Sequence, residues 1–174
     1  MAKQEYIKLT PPLSDKDIKP LSAGDRVLIS GKIYTARDSA HKKMGGQPPF
    51  DIKGQFLFYA SPTPTKPGQI IGSIGPTTSS RMDSFLEPLL KLGLKATIGK
   101  GNRSPEAVAL FKKYKAVYLL VPGGTAAALS KHVKKARVVA YPELGPEALL
   151  ELEVLDFPAI VVVDSKGNNF FEQI

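Results

Sequence analysis

The chain has 174 residues, 43% of them hydrophobic and 23% charged, a balance typical of a globular protein long enough to bury a core. Its 24 Lys and Arg outnumber its 16 Asp and Glu, and the net charge of +8 favours anionic partners without specifying nucleic acid. The absence of cysteine excludes disulfides and cysteine-ligated metal or iron–sulfur centres within the chain.

The N-terminal residues lack the apolar stretch of a secretory signal. No apolar run approaches the roughly 18 residues of a transmembrane helix. We therefore expect a single domain over residues 1–174, located in the cytoplasm and without a membrane partner.

The first half of the chain is predicted to be rich in strands. Residues 6–12 indicate a short strand that ends at Pro11, and Ser14 with Asp17 predicts one helical turn with a capping box. The other predicted elements are a strand, a bend and a second strand over 25–37, a short helix over 38–44 capped by Asp38, a strand over 54–60, a brief strand over 70–74 and a helix over 78–92 that stops at Gly93.

The second half alternates strands and helices. Ser104-Pro105-Glu106 combines a Ser N-cap, a Pro in the first turn and an early acid, which predicts a helix start. The elements are a strand over 95–101, a helix over 104–115, a strand over 116–124, a helix over 125–136, a strand over 137–143, a short helix over 145–152 and two strands around a turn at 166–168. Such alternation predicts an α/β fold with a mostly parallel sheet, joined by a β layer or small barrel from the N-terminal third.

Three basic clusters follow predicted strands, at the end of a sheet where α/β proteins bind ligands. Their members are Arg37, Asp38 and His41, then Thr77, Thr78 and Arg81, then Lys100 and Arg103. Because Arg binds carboxylates bidentately and helix N-termini add N–H donors, three such clusters can clamp a small dicarboxylate. "GKGNRS" is not a P-loop and no dinucleotide fingerprint follows a strand. Aromatic residues are not interleaved with the cations, so we expect no nucleic-acid partner.

Each cluster also has a purely structural interpretation. Asp38 can be simply an N-cap and His41 simply a packing residue. Lys100 and Arg103 can be solvated cations that bind no ligand. The segment around Lys131, His132 and Lys134 resembles a solvated helix face.

Arg81 lies in the first turn of its predicted helix, where the helix dipole costs a cation about 0.3–1 kcal/mol. A charge-assisted bond to a carboxylate contributes about 1.5–3 kcal/mol, so the position suits a bound anion. A side-chain carboxylate such as Asp83 can fill the same place.

Five long segments resemble the β subunit of class I (iron–sulfur) fumarate hydratase and of L-tartrate dehydratase. The resemblance is collinear from about residue 21 to residue 167, and its segments are "GDRVLISGKIYTARDSAHKK", "PFDIKGQFLFY", "PTKPGQIIGSIGPTTSSRMD", "IGKGNRS" and "ELGPEALLELEVLDFPAIVVVDSKG". It implies a swivelling β/β/α domain and a hydro-lyase that adds or removes water across a four-carbon dicarboxylic acid.

The resemblance also implies roles for individual residues. Arg37, Arg81 and Lys100 correspond to substrate-carboxylate ligands, and Thr77 corresponds to the candidate catalytic base. A neutral Thr hydroxyl is a poor base, so Thr77 needs neighbours that stabilise its alkoxide, and it can equally be a hydrogen bonder. The candidates for supporting contacts around these residues are Asp38, His41, Thr78 and Arg103. Ser39 and Ser80 depart from the small residues that the family pattern favours.

The resemblance finally implies a partner. In this family the cysteines that bind a [4Fe–4S] cluster belong to an α part, so we expect a cysteine-containing α subunit, an α₂β₂ assembly or a β–β dimer, and no cluster bound by this chain alone. Activity is then expected only with the α subunit. Fumarate hydratase is the main functional prediction, and tartrate dehydratase is the alternative. A non-catalytic anion-binding domain is a further alternative.

Overall fold

The computed structural model describes residues 5–174. Residues 1–4 lie outside the described residues. The predictions of a domain that starts at residue 1 and of an N-terminus without a secretory signal both include them. The chain is a mixed α/β protein. Among residues 5–174, none of the helices combines the length and apolar character needed to cross a bilayer.

Nine strands and five α-helices make up the described chain. The strands are β1 (Ile7–Leu9), β2 (Arg26–Thr35), β3 (Phe56–Phe58), β4 (Ala60–Pro62), β5 (Ile74–Pro76), β6 (Ala96–Gly99), β7 (Val117–Leu120), β8 (Val133–Ala140) and β9 (Leu149–Val163). The helices are α1 (Asp15–Ile18), α2 (Asp38–Met44), α3 (Leu86–Lys91), α4 (Pro105–Tyr114) and α5 (Ala126–Ser130), with 3₁₀ segments at Ser79–Phe85, Pro142–Glu147 and Phe170–Glu172.

The main sheet closes on itself. Strands β1, β2, β3, β6 and β7 pair in parallel in that order. Strand β9 is antiparallel to β7, β2 and β8, so the pairings β2–β3–β6–β7–β9–β2 form a ring. The expectation of a mostly parallel sheet therefore misses the antiparallel contribution of β9. Strands β4 and β5 form a separate antiparallel pair.

The core lies on both faces of this sheet, because successive strand side chains point to opposite sides. Phe56 and Phe58 of β3 belong to a cluster enclosed by the ring of strands, whereas Leu57 between them belongs to a second cluster. Residues from α2, α3 and α4 join that second cluster. The helices thus cover one outer face of the strands whose ends carry the basic clusters.

Several predicted elements are confirmed. The Ser14–Asp17 capping box opens α1. Ser104 caps α4, and its Oγ accepts the N–H of Ala107 at 3.2 Å. Gly93 follows α3 with a φ of +99°, as expected of a helix stop.

Other predictions were wrong in type or position. The two strands predicted over 25–37 are one strand with a bulge at Gly31, where the register to β9 shifts. The strand predicted over 70–74 is β5, at Ile74–Pro76, and the helix predicted over 78–92 is a 3₁₀ segment followed by α3. The last predicted strand is a 3₁₀ turn, joined to β9 by a single bridge between Val163 and Asn169.

The largest errors concern β8 and β9. The helix predicted over 125–136 ends at Ser130, so Lys134 and Lys135 lie on strand β8 and do not form a helix face. The helix predicted over 145–152 is the end of a 3₁₀ segment and the start of β9. Residues 150–154 lie between β2 on one side and β8 on the other, and this pairing overrides the helix preference of the Leu and Glu residues there.

Candidate functional site

Four chain segments meet at the carboxyl ends of the parallel strands. Arg37 follows β2 and Lys100 follows β6, and both of these strands flank β3. Thr77 follows β5 and is tied to the same edge, because its N–H donates to the carbonyl of Tyr59 at 2.7 Å and its carbonyl accepts from the N–H of Lys100 at 3.3 Å. The fold therefore brings one residue of each predicted cluster, namely Arg37, Thr77 and Lys100, to one edge of the sheet.

Arg81 is the most connected side chain of this edge. Its Nε and Nη2 donate to the two carboxylate oxygens of Asp38, each at 3.1 Å. Nη2 also donates to Thr77 Oγ1 at 2.7 Å. The carboxylate that faces Arg81 is thus Asp38. The sequence had suggested Asp83 for this place. Arg37, not Asp38, is at the N-cap position of α2, so the interpretation of Asp38 as an N-cap was also wrong.

The ion pair shifts the pKa values of both Asp38 and Arg81. The hydrogen bonds from Arg81 hold the pKa of Asp38 below its ordinary value, against the opposing effect of partial burial. The same hydrogen bonds raise the pKa of Arg81. Asp38 is therefore a carboxylate and Arg81 a cation throughout the neutral range. Thr77 next to them is buried, so its hydroxyl oxygen faces the guanidinium rather than bulk water.

Arg37 keeps most of its donors free. Within residues 5–174 its one side-chain hydrogen bond runs from Nη1 to Ser61 Oγ, at 2.9 Å. Its Nε is buried without a hydrogen-bond partner, and the nearest carboxylate oxygen, Glu147 Oε1, is 4.0 Å away. An Arg side chain has five N–H donors, so Arg37 can still bind a carboxylate in a bidentate manner.

Lys100 is exposed at the same edge. Its carbonyl accepts the N–H of Ser79 at 3.0 Å, and Thr78 and Lys100 form an isolated parallel bridge. The Lys100 ammonium makes no hydrogen bond or ion pair with another residue in the 5–174 range. Thr78 occupies the N-cap position of the 3₁₀ segment, but its side chain makes no capping bond. Lys100 thus has its backbone bonded to Thr77, and its ammonium, unpaired within the described residues, is a positive charge available to an anion at this edge.

His41 lies behind Arg37 and is only 2% exposed. Its Nδ1 donates to the carbonyl of Arg37 at 2.8 Å, and its ring packs near Tyr59 and Phe85. Burial lowers its pKa, so the ring is neutral at neutral pH. Its packing interpretation is confirmed.

Arg103 is buried and is not a solvated cation. Its Nε donates to Asp83 Oδ1 at 2.5 Å, its Nη1 to Thr97 at 3.0 Å and its Nη2 to the hydroxyl of Tyr59 at 3.4 Å. The guanidinium carbon also lies 4.9–5.3 Å from the ring centres of Tyr59, Phe111 and Tyr118. Arg103 therefore does not face the open edge with the other cations.

Two residues of this edge were missed by the sequence. Ser61 accepts a hydrogen bond from Arg37, and it lies on β4, for which the sequence indicated no strand. Glu147 accepts from the hydroxyl of Ser39 at 3.1 Å and lies beside Arg37. Glu147 is more than 100 residues from α2 in the chain, and no local pattern indicates this contact.

A surface depression of about 580 Å³ lies elsewhere. It lies along β8 and β9, and Lys32, Arg137 and Glu151 contribute to its lining. Its carboxylates are already paired, since Arg137 forms a bidentate ion pair with Glu151 and Lys135 lies 3.8 Å from Glu153. We place the candidate site at the Arg37–Arg81–Lys100 edge because free cations, and not depth alone, are needed to bind an anion.

The residues of this chain do not fit an iron–sulfur cluster. The sequence has no cysteine. Within residues 5–174, His, Asp and Glu side chains do not come together in a group of three that could hold a metal ion. We derive no step from such a cluster.

Comparison with known proteins decides the family. A family model described as Fumarase C-terminus matches residues 1–174. The chain belongs to the fumarase C-terminus family.

Two kinds of relative share this family's sequence. A Methanocaldococcus jannaschii protein, provisionally described as an L(+)-tartrate dehydratase β subunit, is 43% identical over 174 residues, which cover 93% of this chain and 89% of that protein. The aerobic class I fumarate hydratase of Salmonella typhimurium is 39% identical over 178 residues, covering 97% of this chain. The anaerobic class I enzyme of Escherichia coli is 43% identical over 157 residues, covering 86% of this chain.

The two kinds of relative differ in length. The chain spans most of the tartrate dehydratase relative, but only 31% and 29% of the two fumarate hydratases. By their names, these relatives are hydro-lyases or hydro-lyase subunits.

Proposed function

We propose that this chain is the β subunit of an iron–sulfur hydro-lyase, most directly a fumarate hydratase that interconverts fumarate and malate. The observation that carries the proposal is the 2.7 Å hydrogen bond from Arg81 to Thr77, made at the sheet edge that also carries Lys100 and Arg37. This edge combines cations for two carboxylates with a hydroxyl held against one of them. A non-catalytic anion site needs the cations but has no use for the shielded hydroxyl.

Carboxylate binding follows from the donors that remain. Three of the five N–H donors of Arg81 are taken by Asp38 and Thr77, which leaves Nη1 for a substrate oxygen. Arg37 donates one side-chain hydrogen bond, to Ser61, and lies 4.0 Å from Glu147, so its two Nη groups keep N–H donors for a carboxylate. Lys100 adds a point charge. The two carboxylates of a four-carbon acid are thereby fixed in orientation.

Proton removal is the proposed role of Thr77. The hydroxyl must first pass its own proton to water, and the adjacent Arg81 charge lowers the free energy of the resulting alkoxide. The released proton later neutralises the departing hydroxide, which gives the water product. The alkoxide takes the proton from the carbon next to a carboxylate of malate. The electron pair of that C–H bond forms the double bond of fumarate, and hydroxide leaves the neighbouring carbon. Cations on the carboxylate stabilise the negative charge that develops there.

The remaining parts of the enzyme are proposed for a partner. We propose a cysteine-containing α subunit that binds the [4Fe–4S] cluster, in an α₂β₂ assembly located in the cytoplasm. The chain alone is then inactive. We also propose that residues 1–174 form one domain of the swivelling β/β/α type, which the ring of strands covered by helices supports.

A tartrate dehydratase is the second candidate. The observation in its favour is length, because the chain covers 89% of the relative described as a tartrate dehydratase β subunit. Malate and tartrate both carry two carboxylates, so the cation clamp binds either.

The test is co-expression with a cysteine-containing α chain under anoxic conditions. We expect the complex to have a measurable kcat/KM on fumarate that exceeds its kcat/KM on tartrate. The reverse order would assign the tartrate reaction. An iron-replete complex that is inactive on fumarate, malate and tartrate would contradict the proposal.

A further inference from the structure

Asp83 and Arg103 join the two segments that carry Arg81 and Lys100. Asp83 lies two residues after Arg81 in the 3₁₀ segment Ser79–Phe85, and Arg103 lies three residues after Lys100. One carboxylate oxygen of Asp83 accepts from Arg103 Nε at 2.5 Å, and the other accepts from the N–H of Ser104 at 2.9 Å. We name this contact between Asp83, Arg103 and Ser104 the clasp.

The clasp joins the two segments at one end, and backbone hydrogen bonds join them at the other. The N–H of Ser79 donates to the carbonyl of Lys100 at 3.0 Å, and the N–H of Lys100 donates to the carbonyl of Thr77 at 3.3 Å. The two segments are therefore fixed to each other on both sides of Arg81. Ser79 packs against Gly99 so closely that a Cβ on Gly99 would lie 1.8 Å from Ser79 Oγ.

Stability alone does not account for a cation at this place. The Arg103 side chain is fully buried, and removing a guanidinium from water costs several kcal/mol. Apolar side chains of similar volume would fill the same space with equal or greater stability. Burial opposes the charge of Arg103, but Tyr59 and Asp83 outweigh it and raise the pKa, so the cation persists. What the charge adds is direction, since the planar fork aims separate N–H groups at Asp83, Thr97 and Tyr59.

We infer that Asp83 and Arg103 are positioning residues that set the distance between Arg81 and Lys100 and hence the spacing of the dicarboxylate clamp. The inference rests on the proposed function. The clasp touches no substrate and acts through the backbone of the two segments. A displacement of about 1 Å in side chains that bind the substrate can lower the rate about 100-fold.

The test compares variants in the reconstituted α/β complex. Asp83→Asn leaves Arg103 buried without a counter-charge and is prone to unfold, so the second variant is Asp83→Asn combined with Arg103→Met, which removes the buried charge. We expect this double variant to keep its thermal stability yet lose about 10–100-fold in kcat/KM. Glu151→Gln is the matched control, because it weakens the bidentate Arg137 pair between β8 and β9, which within the described residues makes no hydrogen bond to the clasp. It should leave kcat/KM within about twofold.

A double-mutant cycle separates positioning from general damage. If the clasp acts through Lys100, adding the clasp variant to Lys100→Ala should cost less than about threefold more. Full activity of the stable clasp variant, or a loss that multiplies in the Lys100→Ala background, would overturn the inference.

Hydrogen exchange in the full chain gives a readout that does not depend on activity. The clasp variant should speed exchange at the amides of Ser79 and Lys100, and Glu151→Gln should not. Unchanged exchange would overturn the inference. An inactive wild-type complex with faster exchange in the variant would instead refute the proposed function and leave the clasp standing.

Discussion

Arg81 and Asp38 form a bidentate ion pair, with Arg81 Nε and Nη2 each 3.1 Å from a carboxylate oxygen of Asp38. The pair spans 43 residues of sequence and joins the first turn of α2 to the 3₁₀ segment after β5. It explains how a cation is tolerated near a helix start. It also leaves Arg81 Nη1 as the donor available to a ligand.

Replacing Arg81 should separate function from folding. The side chain is 46% exposed, so its ion pair contributes at most about 1 kcal/mol to stability. Its loss from a ligand carboxylate should cost on the order of 2–5 kcal/mol of binding in the transition state. We expect Arg81→Ala to lower kcat/KM steeply while shifting the melting temperature little. Arg137→Ala, which removes a similar exposed bidentate pair, is the control and should retain activity.

Replacing Arg81 by Lys should also impair turnover. An ammonium is a point charge and cannot donate at once to Asp38, to Thr77 and to a substrate in the fixed geometry of a guanidinium. Steady-state kinetics should show a lower kcat, because Thr77 loses its charged hydrogen-bond donor. A variant with wild-type kcat would argue that Thr77 does not depend on this donor.

Glu147 should support Arg37. Its carboxylate accepts from the hydroxyl of Ser39 and lies 4.0 Å from Arg37 Nε. We expect Glu147→Gln to raise KM for the dicarboxylate several-fold, because the charge that orients Arg37 is lost. Glu143 lies on the same 3₁₀ segment but pairs with the exposed Lys43, so Glu143→Gln is a matched control. Equal KM values for the two variants would contradict the prediction.

His41 should make the fold sensitive to mild acid. Burial lowers its pKa in the folded state below the ordinary 6.5, although the Arg37 carbonyl and Asp38 act in the opposite direction. The unfolded chain therefore binds a proton first as the pH falls, so stability that is present above pH 6.5 declines below it until the folded-state pKa is reached. The carboxylates with lowered pKa values lose their contributions only at lower pH, since their ordinary values are 3.8 and 4.5.

Denaturant unfolding between pH 7.5 and pH 5 checks this effect. The wild-type chain should lose stability over this range, and His41→Gln should show a flatter profile. Parallel profiles for the two proteins would assign the acid sensitivity to other groups.

The sequence could predict which residues meet, because each candidate follows a strand. Arg37, Thr77 and Lys100 lie near the ends of β2, β5 and β6, and pairing of neighbouring strands brings such ends together. The N-cap and stop signals of α4 and α3 are local, so they were read correctly.

Contacts between distant segments could not be predicted. The choice of Asp38 over Asp83 as the partner of Arg81 depends on where α2 docks, and Asp83 is instead taken by Arg103. The burial of Arg103 depends on three aromatic rings from separate elements. Residues 145–152 were predicted to be a helix, and only pairing on both edges of β9 favours the extended form from residue 150 onward.

The most direct measurement is fumarate hydration, assayed anoxically for this chain alone, for an iron-replete α chain alone, and for the two together. We expect no turnover by either chain alone and a clear rate for the complex, abolished by Arg81→Ala and kept by Arg137→Ala. Turnover by the α chain alone that this chain does not change, or a complex insensitive to Arg81→Ala, would contradict the claim that this chain supplies the dicarboxylate clamp.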